Sequence, residues 1–126
     1  MENELRLYCV MRTDLVAPAG KLMVQAGHAF VGCIWCSTHV LVDKYMNDGM
    51  QPKILLAAKT EQVLIRARAE CYNAKVPFFS VVDAGRTVFS EPTFTCIGIG
   101  PVTRDNLPKY VQRLRLLENL HEGWPP

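Results

Sequence analysis

Apolar and polar positions follow two different periods along this chain. Leu5 to Met11 is a short apolar run of high strand propensity, carrying Leu5, Leu7, Tyr8, Cys9 and Val10. Val16 to Gly20 contains Pro18 and reads as a loop. From about Lys21 the period lengthens. Leu22, Ala26, Ala29, Cys33, Cys36 and Val40 recur in steps of three and four, which predicts one long helix from about Lys21 to Met46 with a single buried stripe. Asn47-Asp48-Gly49 stops it. Lys53 to Ala58 predicts a second strand. Thr60 ahead of Glu61 predicts a helix start with Thr60 as N-cap, and Leu64, Ala67, Cys71 and Ala74 mark that helix's core face. Pro77 to Val82 predicts a third strand, and Thr93 to Ile99 a fourth that ends at Gly100-Pro101. A last helix is expected from about Asn106 to Leu120, with Leu107, Val111 and Leu114 inward.

Strands separated by helices favour parallel pairing through right-handed crossovers. The loop from Asp83 to Pro92 carries no helical pattern, so the fourth strand is expected to be antiparallel. The expected fold is therefore α/β, a three-layer sandwich with a mixed four-stranded sheet and helices on both faces. A length of 126 residues suits one domain, long enough to build a core without metal or disulfide staples. There is no repeat, low-complexity segment or interior linker.

Composition adds limits. With 49% hydrophobic and 21% charged residues the chain is globular in type, not disordered or coiled-coil. No apolar run reaches the ~18 residues needed to span a membrane. The acidic start Met1-Glu2-Asn3-Glu4 leads straight into a strand-like run, so no secretory or transit peptide is expected and the cytoplasm is the expected setting. The formal net charge of +2 neither demands nor excludes an RNA partner. The five cysteines, Cys9, Cys33, Cys36, Cys71 and Cys96, are odd in number and lie in apolar segments, as buried free thiols in a reducing compartment would.

In sheets with parallel strands, ligands bind at the strands' carboxyl ends. Two polar clusters fall there. Lys21, Gln25 and His28 share one face of the first helix just after Gly20, where the helix N-terminus suits an anion. Asp83-Ala84-Gly85-Arg86-Thr87 follows the third strand. Asp83 and Thr87 can orient a water, and Arg86 can hold a phosphate or brace the loop. An ordinary polar helix stripe and an ordinary turn would account for each cluster alone. Their convergence on one edge points to a site.

These residues also match a known pattern. Asp83-Ala84-Gly85-Arg86-Thr87 followed by Thr93-Phe94-Thr95-Cys96-Ile97-Gly98-Ile99-Gly100-Pro101 strongly resembles the signature half of the type 2, archaeal and eukaryotic-type, peptidyl-tRNA hydrolase family. So do Arg12-Thr13-Asp14-Leu15, Gly20-Lys21, Gln25, His28, and Gly49, Gln51 and Lys53. The resemblance covers about Leu5 to Leu117. It implies hydrolysis of the ester between a peptide and the tRNA 3′ ribose, recycling tRNA, with no metal or organic cofactor. It implies a compact mixed-sheet sandwich, peptidyl-tRNA as partner and a possible homodimer; some family members carry an N-terminal membrane anchor, but nothing in this sequence supports one, so no membrane is expected. It marks Lys21, His28, Asp83 and Thr87 as catalytic and Gln25, Arg86 and Thr93 as substrate-binding, with Thr93 the weaker match. Asp83 can orient and partly deprotonate the water, Lys21 can stabilise the oxyanion or bind the terminal phosphate, and His28 can hold the ribose or serve as acid and base. The chain departs from the family pattern at Ala26-Gly27 before His28, at Val16-Ala17-Pro18-Ala19 before Lys21 and at Glu91-Pro92 between the signature blocks. The rival readings are a non-catalytic RNA- or protein-binding module of the same fold and a hydrolase of another aminoacyl ester.

Other features read as structure. Cys33-Ile34-Trp35-Cys36 lies mid-helix with no second ligand pair and is expected to be core. Arg66, Arg68, Lys75, Lys109, Arg113 and Arg115 are ordinary exposed charges or an RNA-facing patch. Tyr8 and Tyr110 are expected to pack. His39 and His121 are expected at the surface, and Trp124-Pro125-Pro126 as a loosely held tail.

Overall fold

The structure is a computed structural model and describes residues 4–118. Its elements in chain order are β1 (Arg6–Arg12), α1 (Ala19–Trp35), α2 (His39–Asn47), β2 (Lys53–Ala58), α3 (Glu61–Ala74), β3 (Phe78–Asp83), β4 (Thr93–Val102), a 3-10 turn (Arg104–Asn106) and the short α4 (Lys109–Gln112). The sheet order is β2-β1-β4-β3. β1 and β2 pair in parallel, and β4 runs antiparallel to both of its neighbours, as the loop after Asp83 predicts. The carboxyl ends of β1, β2 and β3 therefore share one edge with the start of β4, and α1 begins there too.

Alternation along β1 separates the two apolar layers. Tyr8 and Val10 face α3 and α4, among Leu64, Ala67, Cys71, Ile97, Ile99, Leu107 and Val111. Cys9 and Met11 face α1, among Leu22, Ala26, Ala29 and Cys96. Tyr8 is buried as expected, and its hydroxyl has no hydrogen-bond partner among the described residues. Two glycines let α1 settle onto the sheet. A Cβ on Gly98 would meet the Ala29 carbonyl oxygen, and one on Gly32 would meet the Phe79 ring. Backbone and ring thus occupy the space a side chain would need.

The expected long helix is two helices. Ser37 Oγ lies 2.6 Å from the Cys33 carbonyl and 2.9 Å from that of Gly100, and Thr38 Oγ1 caps α2 by accepting from Leu41 N–H at 3.4 Å. These side-chain bonds compete with the helix ladder and turn the chain. Beyond the turn the stripe is lost, so Cys36 and Val40 are exposed rather than buried. Cys9, Cys33, Cys71 and Cys96 are buried free thiols. Burial pushes the Cys33 thiol up to about 12, which leaves it protonated and unreactive at neutral pH.

Thr60 makes no side-chain cap; its carbonyl accepts from Val63 N–H at 3.2 Å instead. Ala74 is exposed at the helix end. β4 runs on through Gly100-Pro101 to Val102, its register shifting against β1 between Arg6 and Tyr8, and such an irregularity accommodates a residue without N–H. The last expected helix shrinks to one turn. After it the chain lies along the open side of β2, with Ala57 N–H donating to Arg115 at 2.8 Å and Leu117 N–H to Leu55 at 2.9 Å. Unpaired edge groups of β2 gain partners, and that outweighs helical periodicity here. Leu120, His121 and the Trp124 tail lie outside the described residues.

Candidate active site

At the carboxyl edge, α1 and the end of β3 bring four of the expected residues together. Lys21 Nζ stands 2.6 Å from Asp83 Oδ1 and 3.5 Å from Thr87 Oγ1. Gln25, one turn on, donates from Nε2 to the same Asp83 oxygen at 3.4 Å. The other oxygen, Oδ2, accepts from Gly85 N–H at 2.9 Å. That turn needs glycine twice over: Gly85 has φ +79°, and a Cβ there would meet the backbone of Glu91. Each Asp83 oxygen therefore has a donor, and its side chain is 10% exposed.

The Lys21 ammonium and the Gly85 N–H hold the Asp83 carboxyl below its ordinary value, against the opposing effect of burial. Asp83 is accordingly a carboxylate at neutral pH. Such a group accepts hydrogen bonds and orients water well, and it is a weak base.

Behind this pair lies a residue that sequence reasoning passed over. Thr95 is 0% exposed and donates its hydroxyl to Gln25 Oε1 at 2.7 Å. Because Asp83 can only accept, the Gln25 amide must turn its nitrogen toward Asp83 and its oxygen toward Thr95. A β-bulge makes this possible. Val81 pairs with Cys96 and Val82 with Phe94, so Thr95 is the extra residue on β4. Thr95 and Cys96 both turn toward α1, where the Cys96 thiol donates to the Gln25 carbonyl at 3.4 Å. The only sequence signal was a threonine within the signature block, and threonine in a strand is otherwise unremarked.

The remaining expected residues stand apart from this network. Thr93 pairs with Asp83 across the strands, and its hydroxyl donates to Glu91 O at 2.8 Å, bracing the loop. His28 and Arg86 are exposed, and neither makes a side-chain hydrogen bond or ion pair among the described residues. Arg12, at the end of β1, forks onto Asp14 at 2.9 and 3.0 Å and donates to Phe94 O at 3.1 Å. It thereby ties the start of β4 to the same edge. Among the described residues, no group of three or more His, Cys, Asp or Glu side chains is placed to hold a metal ion.

The family model described as peptidyl-tRNA hydrolase PTH2 matches residues 5–117. The chain belongs to that family. A peptidyl-tRNA hydrolase of Haloquadratum walsbyi is 35% identical over 107 residues, covering 85% of this chain and 95% of the relative. One from Methanopyrus kandleri is 32% identical over 110 residues, 86% and 94% of the two chains. A probable peptidyl-tRNA hydrolase 2 of Schizosaccharomyces pombe is 35% identical over 103 residues, half of its own length. As a PTH2 family member, the chain carries its Lys21–Asp83 pair within the matched region, on the two elements that open and close the carboxyl edge. No described helix is long and apolar enough to cross a membrane.

Proposed function

We propose that the chain hydrolyses the ester between a peptide and the 3′ ribose of tRNA, at the edge where Lys21 meets Asp83. One observation carries this reading: in a member of the PTH2 family, an ammonium and a carboxylate 2.6 Å apart sit at the carboxyl edge, with donors fixing both carboxylate oxygens. An ester needs no stronger activation than a positioned water and a charge to meet the oxyanion.

In this mechanism Asp83 accepts a hydrogen bond from water and aims it at the ester carbonyl, with Thr87 as second partner. Water adds to the carbonyl carbon, and its proton moves to Asp83. A free N–H of Lys21 faces the tetrahedral oxyanion. The bond from carbon to the 3′ oxygen breaks, and Asp83 returns the proton to the ribose oxygen, so the carboxylate is regenerated. Gln25 and Thr95 hold Asp83 in place without touching substrate. Exposed Arg86, three residues after Asp83, serves the tRNA end, and exposed His28, two turns beyond Lys21 on α1, meets the acyl side of the substrate. The reading includes metal-independent turnover, a cytoplasmic setting and a homodimer.

The test is release of acyl-amino acid from N-acetyl-aminoacyl-tRNA, with metal chelated, by wild type beside Asp83→Ala. Cleavage by wild type alone is the expected result. Near-normal cleavage by a well-folded Asp83→Ala protein removes Asp83 from the reaction. Binding of tRNA without cleavage by either leaves a non-catalytic module. Sedimentation velocity reads the oligomeric state.

A further inference from the structure

The row of α1 that carries Lys21 and His28 does not end with them. Lys21, Val24, His28, Val31 and Trp35 are separated by three, four, three and four positions, so they form one stripe along the helix. Its apolar members lie in solvent: Val31 is 71% and Trp35 86% exposed, and Val24 is exposed as well. Gly20 and Gly27, beside the stripe, would have nothing within 4 Å of an added Cβ, so the surface there is open backbone. α1 contains no Asp, Glu or Arg, and its one lysine is Lys21.

Resting on the hydrolase reading above, we propose that this stripe is the track for the peptide arm of the substrate. Three features select that occupant. The track starts at the Lys21–Asp83 pair, where the ester must lie, so any peptide leaves from this point. Beyond Lys21 the track carries no Lys, Arg, Asp or Glu, so it offers little to a polyphosphate, whose affinity depends on cations. A neutral chain with apolar side chains gains by covering it. The lengths also fit. Trp35 lies ~21 Å along the helix axis from Lys21 at the α-helical rise. An extended peptide advancing ~3.3 Å per residue reaches it about six residues from the ester. The tRNA arm then leaves the other way, over Arg86 and the helix N-terminus.

Two substrates separate the possibilities: N-acetyl-leucyl-tRNA, which ends before Val31, and a tRNA carrying a hexapeptide of leucine and alanine. For the double variant Val31→Glu/Trp35→Glu, the expected result is a roughly tenfold rise in KM on the hexapeptidyl substrate at unchanged kcat. Its kinetics on N-acetyl-leucyl-tRNA should match wild type. Both positions are exposed, so the fold is retained, and circular dichroism checks it. Equal loss on both substrates, or no loss on either, overturns the track. So does a wild-type dimer that the variant converts to a monomer in sedimentation, because a second copy then covers the stripe. If wild type cleaves neither substrate, the hydrolase reading itself has failed.

Discussion

α1 and α3 cover opposite faces of the same sheet, and they treat the amphipathic rule differently. α3 obeys it. Leu64, Ala67 and Cys71 are buried, and Glu61, Arg66, Arg68 and Glu70 lie outside that stripe. Arg66 and Arg68 even extend over the rings of Tyr110 and Phe94, at 4.2 and 5.0 Å from their centroids. α1 breaks the rule in both directions. It buries Gln25 among apolar neighbours, and it exposes Val24, Val31 and Trp35. α3 exposes Tyr72 and Ile65 too, but its buried face is wholly apolar, so packing alone explains that face. In α1, the inward glutamine bonds Asp83, and the outward apolar residues form the continuous stripe assigned above to the peptide arm.

The largest expected effect falls on the inner side of that contrast. Asp83→Asn should lower kcat by ~10²-fold or more while thermal unfolding stays cooperative, because the proton acceptor is lost and the shape is kept. Single-turnover release of acyl-amino acid measures it. Next comes the seat of α1. Gly98→Ala should cost about 1–3 kcal/mol in urea unfolding, since its Cβ would push into the Ala29 carbonyl. A neutral result would mean that α1 floats on the sheet and cannot hold Lys21 in register.

Thr95→Val tests the hidden support. It leaves Gln25 Oε1 buried without its donor, so about 1–3 kcal/mol of stability should be lost. Restoring the hydroxyl with Thr95→Ser should recover part of both stability and turnover. A smaller effect concerns titration. The Asp83 carboxyl is held below its ordinary value chiefly by Lys21, so its ionised form is present throughout the range above ~pH 4 and is lost only as pH falls through the lowered value. The rate should therefore show no acid limb from Asp83 above ~pH 4. Lys21→Ala should move the Asp83 carboxyl-carbon NMR midpoint upward. An unmoved midpoint would break the assigned ion pair. Smallest of all, Arg66→Ala on α3 should change stability by about 0.5–1 kcal/mol and leave hydrolysis unchanged, because only its contact over Tyr110 is lost.

The four strands and the antiparallel direction of the fourth were legible because apolar runs of high strand propensity, turn residues and a helix-free connection are local signals. Lys21, Gln25, Asp83 and Thr87 were legible because helix spacing and the carboxyl-edge rule place them together without any knowledge of packing. What escaped was decided at a distance. The periodicity of α1 runs past Ser37, and the turn there combines local bonds of Ser37 and Thr38 with one to the distant Gly100 carbonyl on β4. Leu114, Leu116 and Leu117 suit a helix or an extended strand equally, and the open side of β2 chooses between them. Thr95 looked like any strand threonine until the bulge gave it a direction. His28 reached its expected stripe on α1 but makes no side-chain bond among the described residues.

The bulge in β4 has a genetic consequence. Phe94 and Ile97 both face the α3 layer, and two residues, Thr95 and Cys96, fit between them facing α1. Regular pleating would leave room for one. Deleting either residue would keep every apolar contact of the strand's outer neighbours, yet Gln25 would lose either the bond to its side chain or the bond to its main chain. In this strand, the alignment of Gln25 is encoded by the count of residues between two hydrophobic positions as much as by their identity. A chain that shares the spacing can inherit the alignment, and a chain that loses one codon there forfeits a bond to Gln25 together with a buried residue of the α1 layer.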